Sequence, residues 1–213
     1  MHHLLPTNHC ASYRIQKETL RTNQYFYMII GSHNSWSYLR PAKWWMHLIA
    51  FTARCQCVDI HTQYEQYGVR CFDLRVRFEG TGVRLVHGHV AYKGSPDADL
   101  TFLNERGDCS VRLILDTRTR KPYLAQRDAF RAYCDFVACL YHSIRFWCFR
   151  NLYDWQQEVP SLEPSCEERY ASVQPPRLLD DWFPWLYARL HNHRNISAGT
   201  EKEILLIDYV NIR

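Results

Sequence analysis

The chain has 213 residues, 46% of them hydrophobic and 15% aromatic, which is too apolar for a disordered polymer and enough for one well-developed core; a single domain is expected, with residues 1–24 as an N-terminal extension. Lys+Arg 26 against Asp+Glu 22 leaves a charge of +4 dispersed along the chain, without the basic block that binds nucleic acid. Mean hydropathy is -0.42, and no run of about 20 apolar residues exists to span a membrane.

The start Met-His-His-Leu-Leu-Pro-Thr-Asn-His has no basic segment leading into an apolar one, so a cytoplasmic location is expected. The nine cysteines are odd in number and contain no C-x-x-C pair. Reduced, packed thiols follow, with Cys71 and Cys139 in apolar surroundings and Cys55-x-Cys57 read as packing rather than as half of a metal site.

Taken in chain order, β-branched and aromatic runs predict strands at 25–30, 69–78, 83–90, 111–117, 144–149 and 204–210. Helices are predicted at 41–54, 60–67, 123–140 and 180–191, and the Pro-, Glu- and Trp-containing stretch 151–180 reads as irregular. In the 123–140 helix, Ala125, Ala129, Tyr133, Phe136, Val137 and Leu140 recur at helical spacing and form the expected buried face. Trp44-Trp45-Met46 and the Trp182 to Trp185 run are expected to pack in the core, a lipid-facing rim being the other reading. The alternation of strands and helices points to an α/β protein with a largely parallel sheet.

Period-2 reading of the strands separates two faces. Phe72, Leu74, Val76 and Phe78 share one, and Cys71, Asp73, Arg75 and Arg77 share the other. Val83, Leu85, His87 and His89 form a face that turns from apolar to imidazole, and the runs at 111–117 and 204–210 end near Asp116 and Asp208. Gly31 permits a turn after the first strand, on which His33 stands. Ionisable groups thus gather at the C-terminal ends of strands, where α/β folds place active sites.

His33-Asn34, the block Tyr67-Gly-Val-Arg-Cys-Phe-Asp-Leu-Arg75, the His87-Gly88 pair, Asp116 and the terminal Ile207-Asp208-Tyr209-Val210-Asn211 occur together and in this order. In that combination the chain, from about residue 25 onward, resembles the phosphatidylinositol-specific phospholipase C X-domain family. The resemblance implies a single-domain (β/α)₈-like barrel, short or distorted at this length. Closure of such a barrel would bring Asp208 beside His33.

The activity implied is cleavage of a phosphodiester, as a phosphoric diester hydrolase or lyase. His33 would act as general base, His87 as general acid, Asp208 as acceptor for the second ring N–H of His33, and Arg75, beside Asp73, as the charge on the phosphate. Asn34, Asp116, Arg118 and His89 would complete the substrate-binding set. Calcium-dependent relatives carry an acid where Arg75 stands, so no metal cofactor is expected; the alternative is a Ca²⁺-dependent enzyme using Asn34, Asp73 and Asp116. The partners implied are a phosphodiester, an inositol phospholipid among the options, and a transient membrane-surface contact, acting as a monomer. A rival from another class is a catalytically weak module that binds an anionic headgroup or sugar phosphate; paired acid and base groups argue against it.

Overall fold

The computed structural model describes residues 29–80, 82–117, 124–149, 167–170, 183–197 and 203–212. Eight strands form one sheet: β1 (Ile29–Ser32), β2 (Cys71–Glu79), β3 (Gly82–His87), β4 (Val90–Ala91), β5 (Ser110–Leu115), β6 (Arg145–Phe149), β7 (Glu167–Tyr170) and β8 (Glu203–Ile207). Six of them run parallel in the order β6-β5-β2-β1-β8-β7. The far half of β2 extends beyond β1, turns at Gly80 and pairs antiparallel with β3, which pairs antiparallel with β4.

This overturns the expected (β/α)₈ barrel. No ladder among the described residues joins β6 to β7, so the sheet is mixed and open, and the helices do not alternate one per strand. An α+β arrangement results, with an antiparallel hairpin where a barrel would need another strand–helix repeat. The hairpin has a local cause: the two positions between Glu79 and Gly82, the first of them Gly80 at φ 62, suit a tight reversal, whereas a parallel crossover needs a dozen residues or more.

The helices are α1 (Ala50–Ala53), α2 (Ile60–Glu65), α3 (Asp97–Arg106), α4 (Leu124–Leu140) and α5 (Pro184–Ser197). The expected 41–54 helix is instead a 3₁₀ turn over Trp44–Leu48 followed by α1. The Asp59 side chain accepts the Thr62 N–H and starts α2. Neither α3 nor β7 was expected, although α3 carries ordinary signals: acids at Asp97 and Asp99 in its first turn, Arg106 in its last, and Gly107 in the left-handed conformation after it.

In α4 the buried residues are Phe130 and Val137, supported by Ala129, Tyr133 and Cys134, while Phe136 and Leu140 are exposed. Ala129, Tyr133 and Val137 of the expected face are thus packed and its Ala125, Phe136 and Leu140 are not, because two overlapping apolar stripes satisfy the same period and the sheet covers only part of the one read. β5 is buried along its whole length, as a parallel strand flanked by strands on both sides is. Gly31 lies within β1 rather than in a turn, and a Cβ there would meet the Leu206 side chain of β8 and crowd Cys71 of β2, so that a larger residue would need Leu206 to shift. The left-handed residue after β1 is Asn34, at φ 41.

The seven described cysteines are free; Cys71 is buried as expected, but Cys139 is exposed. No helix among the described residues is long and apolar enough to cross a membrane.

Candidate active site

The parallel pairing of β1 with β8 places the residues that follow them side by side, and the His33 N–H donates to the Ile207 carbonyl at 3.0 Å. His33 Nδ1 lies 2.7 Å from Asp208 Oδ1. A carboxylate only accepts, so Nδ1 carries the proton and Nε2 presents its lone pair, which takes an N–H from Arg75 Nη2 at 2.5 Å. The juxtaposition of His33 and Asp208 expected from barrel closure therefore arises in an open sheet, through one strand pairing.

Arg75 and Asp73 lie two residues apart on β2 and share its inward face, where Arg75 Nη2 donates to Asp73 Oδ2 at 3.1 Å. The same oxygen accepts the Asn34 backbone N–H at 3.1 Å, a bond made available by the left-handed turn at Asn34. Burial opposes charge on Asp73, but Arg75, Arg112 and His33 outweigh it and hold the carboxyl down at about 2. Burial likewise opposes the charge of Arg75, and Asp73 and then Asp116 more than offset it, so its pKa is raised.

His87 comes from the opposite direction. β3 runs back along β2 from Gly80, so its last residue returns to the level of the inward-facing β2 side chains, and the His33 and His87 rings meet edge to face with centroids 5.7 Å apart. His87 Nδ1 donates to the Ala53 carbonyl at 2.8 Å, leaving Nε2 as the unprotonated nitrogen. Burial, the Arg75 cation and His33 together lower its pKa to about 4. The Gly88 N–H, at φ 53, donates to Asp116 Oδ2 at 2.7 Å, and Arg77 holds the same segment through the Asp116 and Gly88 carbonyls.

The structure thus brings together His33, Asp208, Arg75, Asp73, His87 and the Asn34 backbone, with Asp116 behind the Gly88 turn. Asn34 directs its side-chain amide to the Ala53 carbonyl at 3.5 Å. His89 is exposed on the turn after β3, and Arg118 lies outside the described residues.

Four further residues build the site, none of them expected there: Cys55 was read from the sequence as packing, and the other three were not marked. Arg112 is fully buried on β5 in register with Asp73 and adds positive potential to that carboxylate. Gln56 donates to the His33 and Ile207 carbonyls at 3.1 and 2.9 Å and accepts the Val210 N–H, locking the two strand ends together. Asn192 of α5 donates to the Asp208 and Ile212 carbonyls, each at 2.7 Å. Cys55 is buried with its sulfur 3.9 Å from His87 Nδ1. Burial, then Asp208, pushes the Cys55 thiol well above its ordinary pKa. Only Arg112 had a readable signal, a lone charge amid the apolar run 111–115. The other three act across folds of the chain.

Asp73 Oδ2 accepts from Arg75 and Asp116 Oδ2 from the Gly88 N–H, while the second oxygens of both carboxylates and Asn34 Oδ1 make no hydrogen bond among the described residues; the Arg75 charge beside the two carboxylates opposes a Ca²⁺ ion there.

The aromatic runs also differ from expectation. Met46 is buried, but Trp44 is 80% exposed, Leu48 71% and Phe51 51%, and Phe183 stacks on Phe51 at 5.9 Å while itself exposed. Core packing therefore holds for Met46 and fails for Trp44, Trp45, Phe183 and Trp185, which are exposed, with Trp182 outside the described residues. A 3₁₀ turn and the four-residue α1 are too short to bury residues on every side of the chain. No protein-family model, curated protein or solved structure matches the chain.

Proposed function

We propose that the chain is a phosphoric diester hydrolase or lyase of phospholipase C type, as the resemblance to the X-domain family implies. The observation that carries this reading is the meeting of two imidazoles, 5.7 Å apart, beside one buried guanidinium, with the first ring oriented by a carboxylate at 2.7 Å.

A phosphodiester entering this site offers its anionic oxygens to Arg75, which can bind them through paired N–H groups. Transfer of the Arg75 N–H from His33 Nε2 to the phosphate frees that lone pair to take the proton of an attacking hydroxyl. Asp208 stabilises the imidazolium that results. His87 then protonates the leaving oxygen. It is neutral at pH 7 without substrate, and the negative phosphate supplies the charge that draws a proton to it by offsetting Arg75. The exposed aromatic surface around Trp44 and Phe183 suits contact with a lipid headgroup boundary, as the membrane-contacting form of this reading requires.

The test is turnover of a panel containing an inositol phospholipid, another phospholipid and a soluble diester, with and without EDTA. Cleavage of at least one member, unchanged by EDTA, is expected. Absence of turnover throughout rejects the enzyme reading in favour of anion binding alone, and loss on chelation restored by Ca²⁺ rejects the metal-independent mechanism.

A further inference from the structure

The phosphodiester chemistry has no use for Cys55, yet its thiol is buried against both rings. We infer that His33, Cys55 and His87 form a binding site for a soft divalent cation of the zinc and cadmium class, whose occupation blocks the acid–base pair. One ligand atom from each residue lies within 4.8 Å of the other two. Two imidazole nitrogens and one thiolate are a borderline-soft donor set, suited to Zn²⁺ or Cd²⁺ and poorly suited to Ca²⁺. Bond lengths of about 2.0–2.3 Å to tetrahedral zinc set its ligands roughly 3.3–3.8 Å apart, so closing on the ion takes about an ångström of side-chain movement. The fourth position is left for water.

The surroundings supply for His33 what such a ligand needs behind it. A metal-bound imidazole is ordinarily oriented by a carboxylate or a backbone carbonyl on its other nitrogen, and here Asp208 takes that place behind His33. As the metal–sulfur bond forms, the Cys55 proton leaves to solvent, and the thiolate offsets one of the two charges brought in. The ion takes the His33 Nε2 lone pair in place of the Arg75 Nη2 N–H, which must move away; the Arg75 charge opposes the ion, and the carboxylates of Asp73 and Asp208 counter it. With the ion bound, the ring lone pairs are occupied and neither histidine can exchange a proton. The blocking role rests on the phosphodiesterase reading; the binding does not.

The test is titration of the full chain with Cd²⁺, in a Cys10→Ser, Cys57→Ser, Cys139→Ser, Cys166→Ser background that removes the thiols exposed among the described residues and the two cysteines outside them, following the ultraviolet thiolate-to-cadmium charge-transfer band. One equivalent should saturate the band, Cys55→Ser should abolish it, and Asp208→Asn should keep it while weakening affinity by roughly 10–100-fold. No band, or a band that survives Cys55→Ser, overturns the site. If Cys55→Ser does not fold, zinc-edge X-ray absorption on the otherwise unaltered chain decides: a shell with one sulfur and two imidazoles supports the site, and a shell without sulfur overturns it. Zn²⁺ should also stop diester turnover at the same stoichiometry, reversibly with EDTA. Binding without inhibition overturns the blocking role, whereas absence of turnover in the metal-free protein overturns the functional reading and leaves the binding result standing.

Discussion

The two imidazoles are chemically identical and differently held. His33 sits at the end of a central parallel strand, tied by its backbone to β8 and by its ring to the Asp208 carboxylate. His87 ends an antiparallel strand of a hairpin, and its ring is held by the neutral Ala53 carbonyl. The neutral carbonyl offers little to an imidazolium, so burial and then the Arg75 cation prevail at His87 and lower its pKa to about 4. In the proposed reaction these two settings would divide equivalent residue types into a base with a built-in counter-charge and an acid that needs the substrate to become one.

The strongest way to break this comparison is to remove each ring. His33→Ala and His87→Ala should each lower turnover on the order of 10²–10⁴-fold, with circular dichroism unchanged. A nitrophenyl diester, whose leaving group departs without protonation, should partly rescue the His87 variant and not the His33 variant; equal rescue of both would erase the division of roles.

Next is Arg75→Ala, expected to lower kcat/KM by roughly 10²–10³-fold, as loss of one preorganised donor does. Because the guanidinium also depresses His87, the same substitution should move the alkaline limb of the pH–rate profile upward, and Arg75→Lys should recover only part of the rate.

Asn192→Ala tests the support on the His33 side. It leaves the buried Asp208 carbonyl and the partly buried Ile212 carbonyl without their donor and should cost about 1–3 kcal/mol in chemical denaturation.

Stability against pH sharpens the contrast. His87 is neutral in the fold at a pKa of about 4, so below the unfolded value near 6.5 protons bind the unfolded chain preferentially. Its contribution is therefore lost as pH falls from about 6.5 to 4. Asp73, held at about 2, contributes above the unfolded value near 3.9 and loses that contribution only in stronger acid. Melting temperature should decline in two stages on acidification, and His87→Gln should remove the first stage alone.

The smallest effect is expected outside the site. Trp44→Ala should change stability by less than about 0.5 kcal/mol, since the side chain is exposed, while reducing sedimentation with anionic phospholipid vesicles.

Strand positions were legible because short apolar runs sit between turn residues: β2, β5 and β8 fall within a residue or three of the expected limits. The alternation in β2 also placed Asp73 and Arg75 on one face correctly. α3 was missed despite its acidic start and its glycine stop, and β7 because its residues, Glu167-Glu-Arg-Tyr170, carry no apolar pattern. The buried face of α4 was read in part, Ala129, Tyr133 and Val137 packing on the core while Ala125, Phe136 and Leu140 are exposed, because periodicity defines stripes and the sheet decides how much of each is covered.

By itself the sequence determined which groups exist and which face of each strand they share: His33, Asp73, Arg75, His87, Asp116 and Asp208 are matters of order and period. Tertiary structure alone decided that β2 folds back into an antiparallel hairpin, that the sheet stays open, and that His33 meets Asp208 through the pairing of the first strand with the last. It alone brought Cys55, Gln56 and Asn192 to that meeting point, since Gln56 reaches a carbonyl 151 residues away. The physical reason is range: periodicity is a property of a few neighbouring dihedrals, whereas strand partners are chosen by burial and hydrogen bonding between segments whose separation along the chain leaves no local trace.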